Sequence, residues 1–297
     1  MDFGFLTDKK QFQFGNYEIK PLPNIDDTLS EFFKTAQAYD GWILPELEQK
    51  QQGFPENDQF RINSVMVVPP FYELKATHSI ILTPGDPVKA KFLILAYGFL
   101  QGLYLCPNKN LYIKRVPYRP GKLTDIIPQK QDYIIGMNAF VKHYDEADDH
   151  ERKLLFSILH WFLMGQCYEY EWDRFAAQYF VLDAIYRLSG LGRIIHAKKP
   201  ECLANYYGID VPDWAVTHII TRNNRELTTC TLAEIRNELF HEAKYAGEPI
   251  GYNYPNEHFD PGFRRFNLQL IISIVGLKTQ VLRMNVNELE RDIWNFE

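Results

Sequence analysis

The pattern of hydrophobic and polar positions predicts strands and one helix in the first part of the chain. β-branched and apolar residues dominate 61–68 and 72–82, as expected of strands. Residues 28–38 predict a short helix capped by an aspartate. Residues 88–105 are apolar on most sides and too long for one strand, so they predict a buried helix whose first turn holds Pro87.

From residue 141 onward the pattern is typical of helices. Two long helices are predicted over 150–168 and 171–189, and their short link predicts an antiparallel hairpin. The acidic run 145–149 suits the beginning of the first one. Further helical segments are predicted over 201–207, 214–221, 232–245 and 261–283.

Charge divides the chain at about the same place. Residues 1–140 contain 15 Lys and Arg against 15 Asp and Glu, whereas residues 141–297 contain 17 against 23. Together with the change in pattern, this predicts an α+β protein. We expect a mixed domain of strands and helix over 1–140, followed by an all-α helical bundle over 141–297.

Composition excludes several classes of protein. Hydrophobic residues make up 46% of the chain, which argues against disorder, and the net charge of -6 disfavours a protein that coats nucleic acid. The four cysteines form no CxxC pair, so we expect neither a zinc knuckle nor a disulfide scaffold. The beginning of the chain does not have the pattern of a signal peptide, and no apolar run is long enough to span a bilayer. We therefore expect a cytoplasmic protein without a membrane partner, cofactor or metal site.

The segment 233–244, AEIRNELFHEAK, carries the candidate chemistry. It contains Arg236, Asn237 and His241 in the spacing R-N-x3-H. On a helix, an apolar face is formed by Leu232, Ile235, Leu239 and Ala243. Asn237 and His241 lie one turn apart on the opposite side. Arg236 lies about 140° around the helix from His241, so either its side chain must reach round the helix or the helix must distort. The polar pair is therefore predicted to point away from the core of its own domain.

With this motif on a late helix, residues 141–297 resemble a HEPN domain (higher eukaryotes and prokaryotes nucleotide-binding). That family is a helical bundle that begins with a long antiparallel helix pair and carries an R-x4-6-H motif, often with a polar residue after the arginine. The resemblance covers about half of the chain. It implies a metal-independent endoribonuclease in which two copies of the motif face each other across a homodimer.

The resemblance assigns catalytic roles to Arg236, Asn237 and His241. The histidine would exchange protons with the RNA 2′-OH or the leaving oxygen, the arginine would hold the phosphate, and the asparagine would orient either partner. Such a protein is a candidate toxin or antiphage defence effector, with RNA as substrate and an antitoxin or regulatory protein as a further partner. The alternative is a non-catalytic HEPN scaffold or regulatory module that binds a nucleotide or a protein.

Basic residues outside the motif are candidates for binding the substrate. Basic and aromatic residues alternate in 106–132, a pattern that single-stranded nucleic acid can use, although a solvated hairpin explains it as well. Surface salt bridges would likewise explain the arginines that precede the motif helix. The candidates are Lys244, Arg222, Arg225, Arg115 and Arg119.

Overall fold

The computed structural model describes residues 1–35, 37–44, 48–56, 59–67, 72–82, 85–107, 111–112, 115–128, 132–222, 224–241, 259–286 and 292–294. Within these residues, strands lie mainly in the N-terminal part and helices mainly in the C-terminal part. This distribution confirms the α+β class. No helix in the described part of the chain is long and apolar enough to cross a membrane.

The helices follow one another along the whole chain. Their bounds are α1 Ile25–Thr35, α2 Pro87–Gln101, α3 Asp132–Glu146, α4 Asp149–Gly165, α5 Glu171–Ser189, α6 Lys199–Tyr207, α7 Thr231–His241 and α8 Phe259–Ile274. Short 3-10 helices occur at His196–Lys198, Asp213–Ala215 and Gln280–Arg283.

The strands are short apart from one long hairpin. Their bounds are β1 Asp2–Gly4, β2 Phe12–Phe14, β3 Tyr17–Pro21, β4 Gln37–Tyr39, β5 Trp42–Leu44, β6 Glu48–Glu56, β7 Gln59–Val67, β8 Tyr72–Glu73, β9 His78–Leu82, β10 Cys106–Pro107, β11 Leu111–Tyr112, β12 Val116–Pro117, β13 Ile126–Pro128, β14 His218–Arg222, β15 Arg225–Thr229 and β16 Asp292–Trp294. The long hairpin consists of β6 and β7.

The chain forms two compact units. The strand unit contains residues 1–94 and 105–119, and the helical unit contains residues 95–104 and 120–297. Helix α2 contributes residues to both units. The domain boundary expected near residue 140 stays a prediction, because compactness does not show which segments fold independently.

An antiparallel sheet organises the strand unit. Its described strands lie in the order β10-β1-β9-β3-β2, and Ile19 of β3 lies opposite Ile80 of β9. Both isoleucines are buried, as is Phe3 on β1. The helix predicted to begin near Pro87 is α2. The Asp86 carboxylate caps it by accepting hydrogen bonds from the backbone of Val88 and Lys89.

Helices α4 and α5 confirm the predicted antiparallel pair. The side chain of Asp148 caps α4 by accepting from the backbone N–H of Glu151, whose carboxylate accepts in return from the Asp148 N–H. Gly165 near the end of α4 lies against Ala177 on α5, and a Cβ added to Gly165 would come within 2.2 Å of the Ala177 Cβ. A glycine is needed here because the two helices approach so closely.

Two predicted helical segments are wrong in part, and one helix was not expected. Over 214–221 the chain forms a 3-10 turn and then β14, which pairs with β15, because the β-branched run Ile-Ile-Thr favours extended backbone. The helix predicted over 261–283 ends at Ile274, since Gly276 adopts a left-handed conformation with φ of 71°. Helix α3 was not expected, and its Gly136 lets it lie against Leu100 of α2.

Candidate functional site

Helix α7 carries the candidate motif and is anchored at its first turn. It follows Cys230, which is completely buried and whose backbone carbonyl accepts a hydrogen bond of 3.0 Å from the backbone N–H of Glu234. Burial raises the pKa of the Cys230 thiol, so this cysteine has the character of a packed cap rather than of a nucleophile. Leu232 and Ile235 are buried and Leu239 is half-buried, which confirms the first two turns of the predicted apolar face. Ala243 falls outside the described residues.

Arg236 and Asn237 meet at the surface of α7. The Nη1 group of Arg236 donates a hydrogen bond of 3.0 Å to the Asn237 side-chain oxygen. The guanidinium also lies against two rings, with its Cζ 5.8 Å from the centre of Tyr179 and 5.7 Å from that of Phe240. These contacts hold the guanidinium of Arg236 beside Asn237 and Phe240. Its expected reach round the helix towards His241 stays a prediction.

His241 is the last residue of α7. Its backbone continues the helix one turn beyond Asn237. Its side chain lies outside the described atoms, so its expected role beside Arg236 stays a prediction.

Tyr179 on α5 links Arg236 to a second histidine. Its hydroxyl lies 3.1 Å from Nδ1 of His196, and the two ring centres are 6.3 Å apart. The guanidinium Cζ of Arg236 lies 5.8 Å from the centre of the same tyrosine ring. Burial raises the pKa of Tyr179, and the carboxylate of Asp183 adds to this, so the hydroxyl keeps its proton near neutral pH.

Sequence reasoning missed this group. Tyr179 occupies an apolar position in the middle of a long helix, and His196 shows no pattern with another residue. Since 17 residues separate this tyrosine from His196, no local spacing connects the two.

An aromatic patch borders Arg236. It consists of Trp161, Phe180 and Phe240. Phe180 and Phe240 stack with their centres 6.2 Å apart, and Trp161 meets Phe180 edge-on at 5.2 Å. Phe180 is 44% exposed and Phe240 is 38% exposed. Exposed stacked rings beside a guanidinium offer a surface on which unpaired nucleobases can stack.

Arg222 and Arg225 lie at the tip of the β14–β15 hairpin, immediately before α7. They form the last cross-strand pair, and both are exposed. His218 at the base of the hairpin lies 3.6 Å from the carboxylate of Glu234 on α7. The hairpin therefore holds two cations on the chain that leads into the motif helix, and their binding of substrate stays a prediction.

The other candidate substrate-binding residues are placed differently. In the strand unit, the guanidinium of Arg115 lies 4.0 Å from the ring centre of Trp42, and Arg119 lies 3.3 Å from the Asp40 carboxylate. These contacts give both arginines a local structural role. Lys244 falls outside the described residues.

The acidic run before α4 serves mainly to cap that helix, as described above for Asp148 and Glu151. Beside it, a cavity of about 280 Å³ is lined in part by His143, Glu146 and Tyr207. Burial lowers the pKa of His143. Across the described segments, no three His, Cys, Asp or Glu side chains are grouped as metal ligands would be.

Comparisons with protein-family models, with curated proteins and with solved structures find no match to this chain.

Proposed function

We propose that this protein is a metal-independent endoribonuclease of HEPN type, acting in the cytoplasm as a toxin or antiphage defence effector. The observation that carries the proposal is the meeting of Arg236 and Asn237 beside the exposed aromatic patch, on a helix that ends with His241. The groups suit RNA because the guanidinium is a permanent cation for phosphate and the rings can hold a base.

The reaction we propose is attack of the 2′-oxygen on the adjacent phosphorus. A base removes the 2′-OH proton as the new O–P bond forms, and the P–O5′ bond breaks as an acid protonates the leaving oxygen. His241 supplies one of these proton transfers, and Arg236 stabilises the charge that develops on the phosphate. From the family resemblance, we propose that a homodimer brings two copies of the motif together. The second copy then supplies the other proton transfer.

The test is cleavage of a mixed-sequence RNA in EDTA. We expect the wild type to cleave it, His241→Ala to lose roughly 100-fold to 10,000-fold in rate, and Arg236→Gln to lose roughly 100-fold or more. Matched controls are His150→Gln in the first turn of α4 and Arg187→Gln in the last turn of α5, both at exposed positions. These should cleave like the wild type. A wild type that leaves RNA intact as monomer and as dimer would overturn the proposal.

The alternative is a non-catalytic module whose aromatic patch binds another protein. Exposed Phe180 and Phe240 favour it, because aromatic residues are enriched at protein interfaces. It predicts no turnover of any RNA, and it predicts that Phe180→Ser changes assembly in sedimentation whereas His241→Ala does not.

A further inference from the structure

Four helices of the helical unit end at the cavity of about 280 Å³. The last residues of α3, α5, α6 and α8 all line it, namely Glu146, Ser189, Tyr207 and Ile274. The C-terminal end of a helix carries a partial negative charge of about half an elementary charge, so four such ends meet at this cavity. Small-molecule sites usually have volumes of about 300–1,000 Å³, and this cavity therefore suits a small ligand.

The side chains that line the cavity add further negative charge. Glu146 and Glu151 supply two carboxylates, and the described lining residues include neither lysine nor arginine. Burial lowers the pKa of His143, although the two carboxylates oppose this, so its imidazole is mainly neutral near pH 7. One oxygen of Glu151 accepts from the backbone N–H of Asp148, which holds this carboxylate in place. Lys142 lies 4.0 Å from Glu146, but both side chains are mostly exposed, so water weakens this pair.

Two tyrosines form an aromatic wall of the cavity. The rings of Tyr206 and Tyr207 meet nearly at a right angle, with their centres 4.9 Å apart. Tyr206 is 56% exposed, whereas Tyr207 is half-buried. Burial raises the pKa of Tyr207 to about 12, so its hydroxyl keeps its proton near neutral pH. The faces of such rings attract cations, and quaternary ammonium groups in particular.

We propose that this cavity binds a small organic cation that carries an ammonium group. The four helix ends and the two carboxylates supply the negative potential, and the tyrosine rings contact the groups around the nitrogen. A bare metal ion fits less well, because the described residues include no group of three side chains arranged as metal ligands would be.

The cavity is separate from the candidate ribonuclease site. Ser189 lies ten residues beyond Tyr179 on α5, which is about 15 Å along the helix, and Tyr179 is the residue against which Arg236 lies. The inference therefore goes beyond the proposed function and does not depend on cleavage of RNA.

Calorimetry on the full chain tests the charge of the ligand. The probes are choline, which carries a quaternary ammonium group, putrescine, which carries primary ammonium groups, and the neutral analogue of choline in which carbon replaces nitrogen. We expect at least one of the two cations to bind at a single site with a Kd of roughly 10 μM to 1 mM, and the neutral analogue to bind at least about tenfold more weakly. The absence of saturable binding for both cations, or equal binding of the neutral analogue, would overturn the proposal.

Variants test whether the cation binds in the cavity. Glu146→Lys reverses one charge of the lining and should raise Kd roughly fivefold to twentyfold, and a lysine suits the end of α3. Tyr206→Leu removes a ring face and should raise Kd roughly twofold to fivefold. Glu169→Lys and Tyr39→Leu make the same changes at exposed positions outside the lining and should bind like the wild type. Circular dichroism checks that each variant is folded, and unchanged Kd values for both cavity variants would contradict the site.

NMR locates the bound cation directly. A saturating cation should shift the ring signals of Tyr206 and Tyr207 and the imidazole signals of His143. Shifts confined to Phe180 and Phe240 would place the cation on the aromatic patch and overturn the site. Since none of these measurements uses RNA, their failure would leave the ribonuclease proposal standing, and a wild type that cleaves no RNA would leave the cation site standing.

Discussion

Two histidines, one in each unit, make the same hydrogen bond in opposite surroundings. In the strand unit, Nδ1 of His78 lies 3.1 Å from the hydroxyl of Thr77. In the helical unit, Nδ1 of His196 lies 3.1 Å from the hydroxyl of Tyr179. His78 is completely buried on β9, whereas His196 is exposed on a 3-10 turn.

The difference shows that burial, rather than the bond, decides what a histidine can do. Burial lowers the pKa of His78 to about 4, although the carboxylate of Asp8 lies 4.0 Å from its Nε2 and favours the charged form. His78 is therefore neutral near pH 7 and belongs to the packing of the sheet. His196 makes its Nδ1 contact at a position that solvent reaches, so its charge does not depend on burial in the same way.

The largest expected effect is the loss of stability in acid that His78 causes. Its pKa is about 4 in the folded protein against 6.5 as the ordinary value, so the unfolded chain binds more protons between these pH values. The stabilisation is complete above pH 6.5 and is lost as pH falls to 4, by about 3 kcal/mol in the free energy of unfolding. Urea denaturation of the wild type and His78→Gln should show their difference shrinking by this amount. NMR titration of the His78 ring checks the midpoint, and a midpoint near 6.5 would contradict the prediction.

Removing the hydroxyl that contacts each histidine should cost more stability in the strand unit than in the helical unit. Thr77→Val also removes the acceptor for the backbone N–H of Leu6, at 3.0 Å and buried, so we expect a loss of about 1–3 kcal/mol. Tyr179→Phe should cost about 1 kcal/mol or less, because exposed His196 can turn to water and Arg236 keeps its bond to Asn237. Urea denaturation at pH 7 compares the two variants. Equal losses would mean that burial does not distinguish the two bonds.

The smallest effects on folding are expected at the exposed surface of the helical unit. His196→Gln and Phe180→Ser should each change the free energy of unfolding by no more than about 0.5 kcal/mol, because both positions are exposed. On the proposed function, Phe180→Ser weakens RNA binding by about 1–3 kcal/mol through lost stacking. Thermal unfolding and fluorescence anisotropy give the two quantities. If Phe180→Ser lost much stability but bound RNA like the wild type, the aromatic patch would serve packing rather than RNA binding.

Hydrophobic periodicity predicted much of the helical architecture. The sequence was enough to predict the pair α4 and α5, the buried α2 and the apolar face of α7. Each of these depends on a hydrophobic repeat within one segment. The capping of α4 by Asp148 was readable in the same way from the acidic run before it. The β14–β15 hairpin was not, since its short strands pair with each other alone among the described strands and leave little apolar pattern.

The candidate site also has one part that the sequence predicts and one part that it does not. The sequence by itself determined that Asn237 and His241 lie one turn apart on the polar side of an amphipathic helix, because the helical repeat defines the faces without any partner. Only the tertiary structure decided that Arg236 lies against Tyr179 and that Tyr179 holds His196. Those contacts depend on how α5, α7 and a 3-10 turn pack together. Packing brings together residues that are distant along the chain. Hydrophobic periodicity predicts which side of a helix is buried but not which residues cover that side.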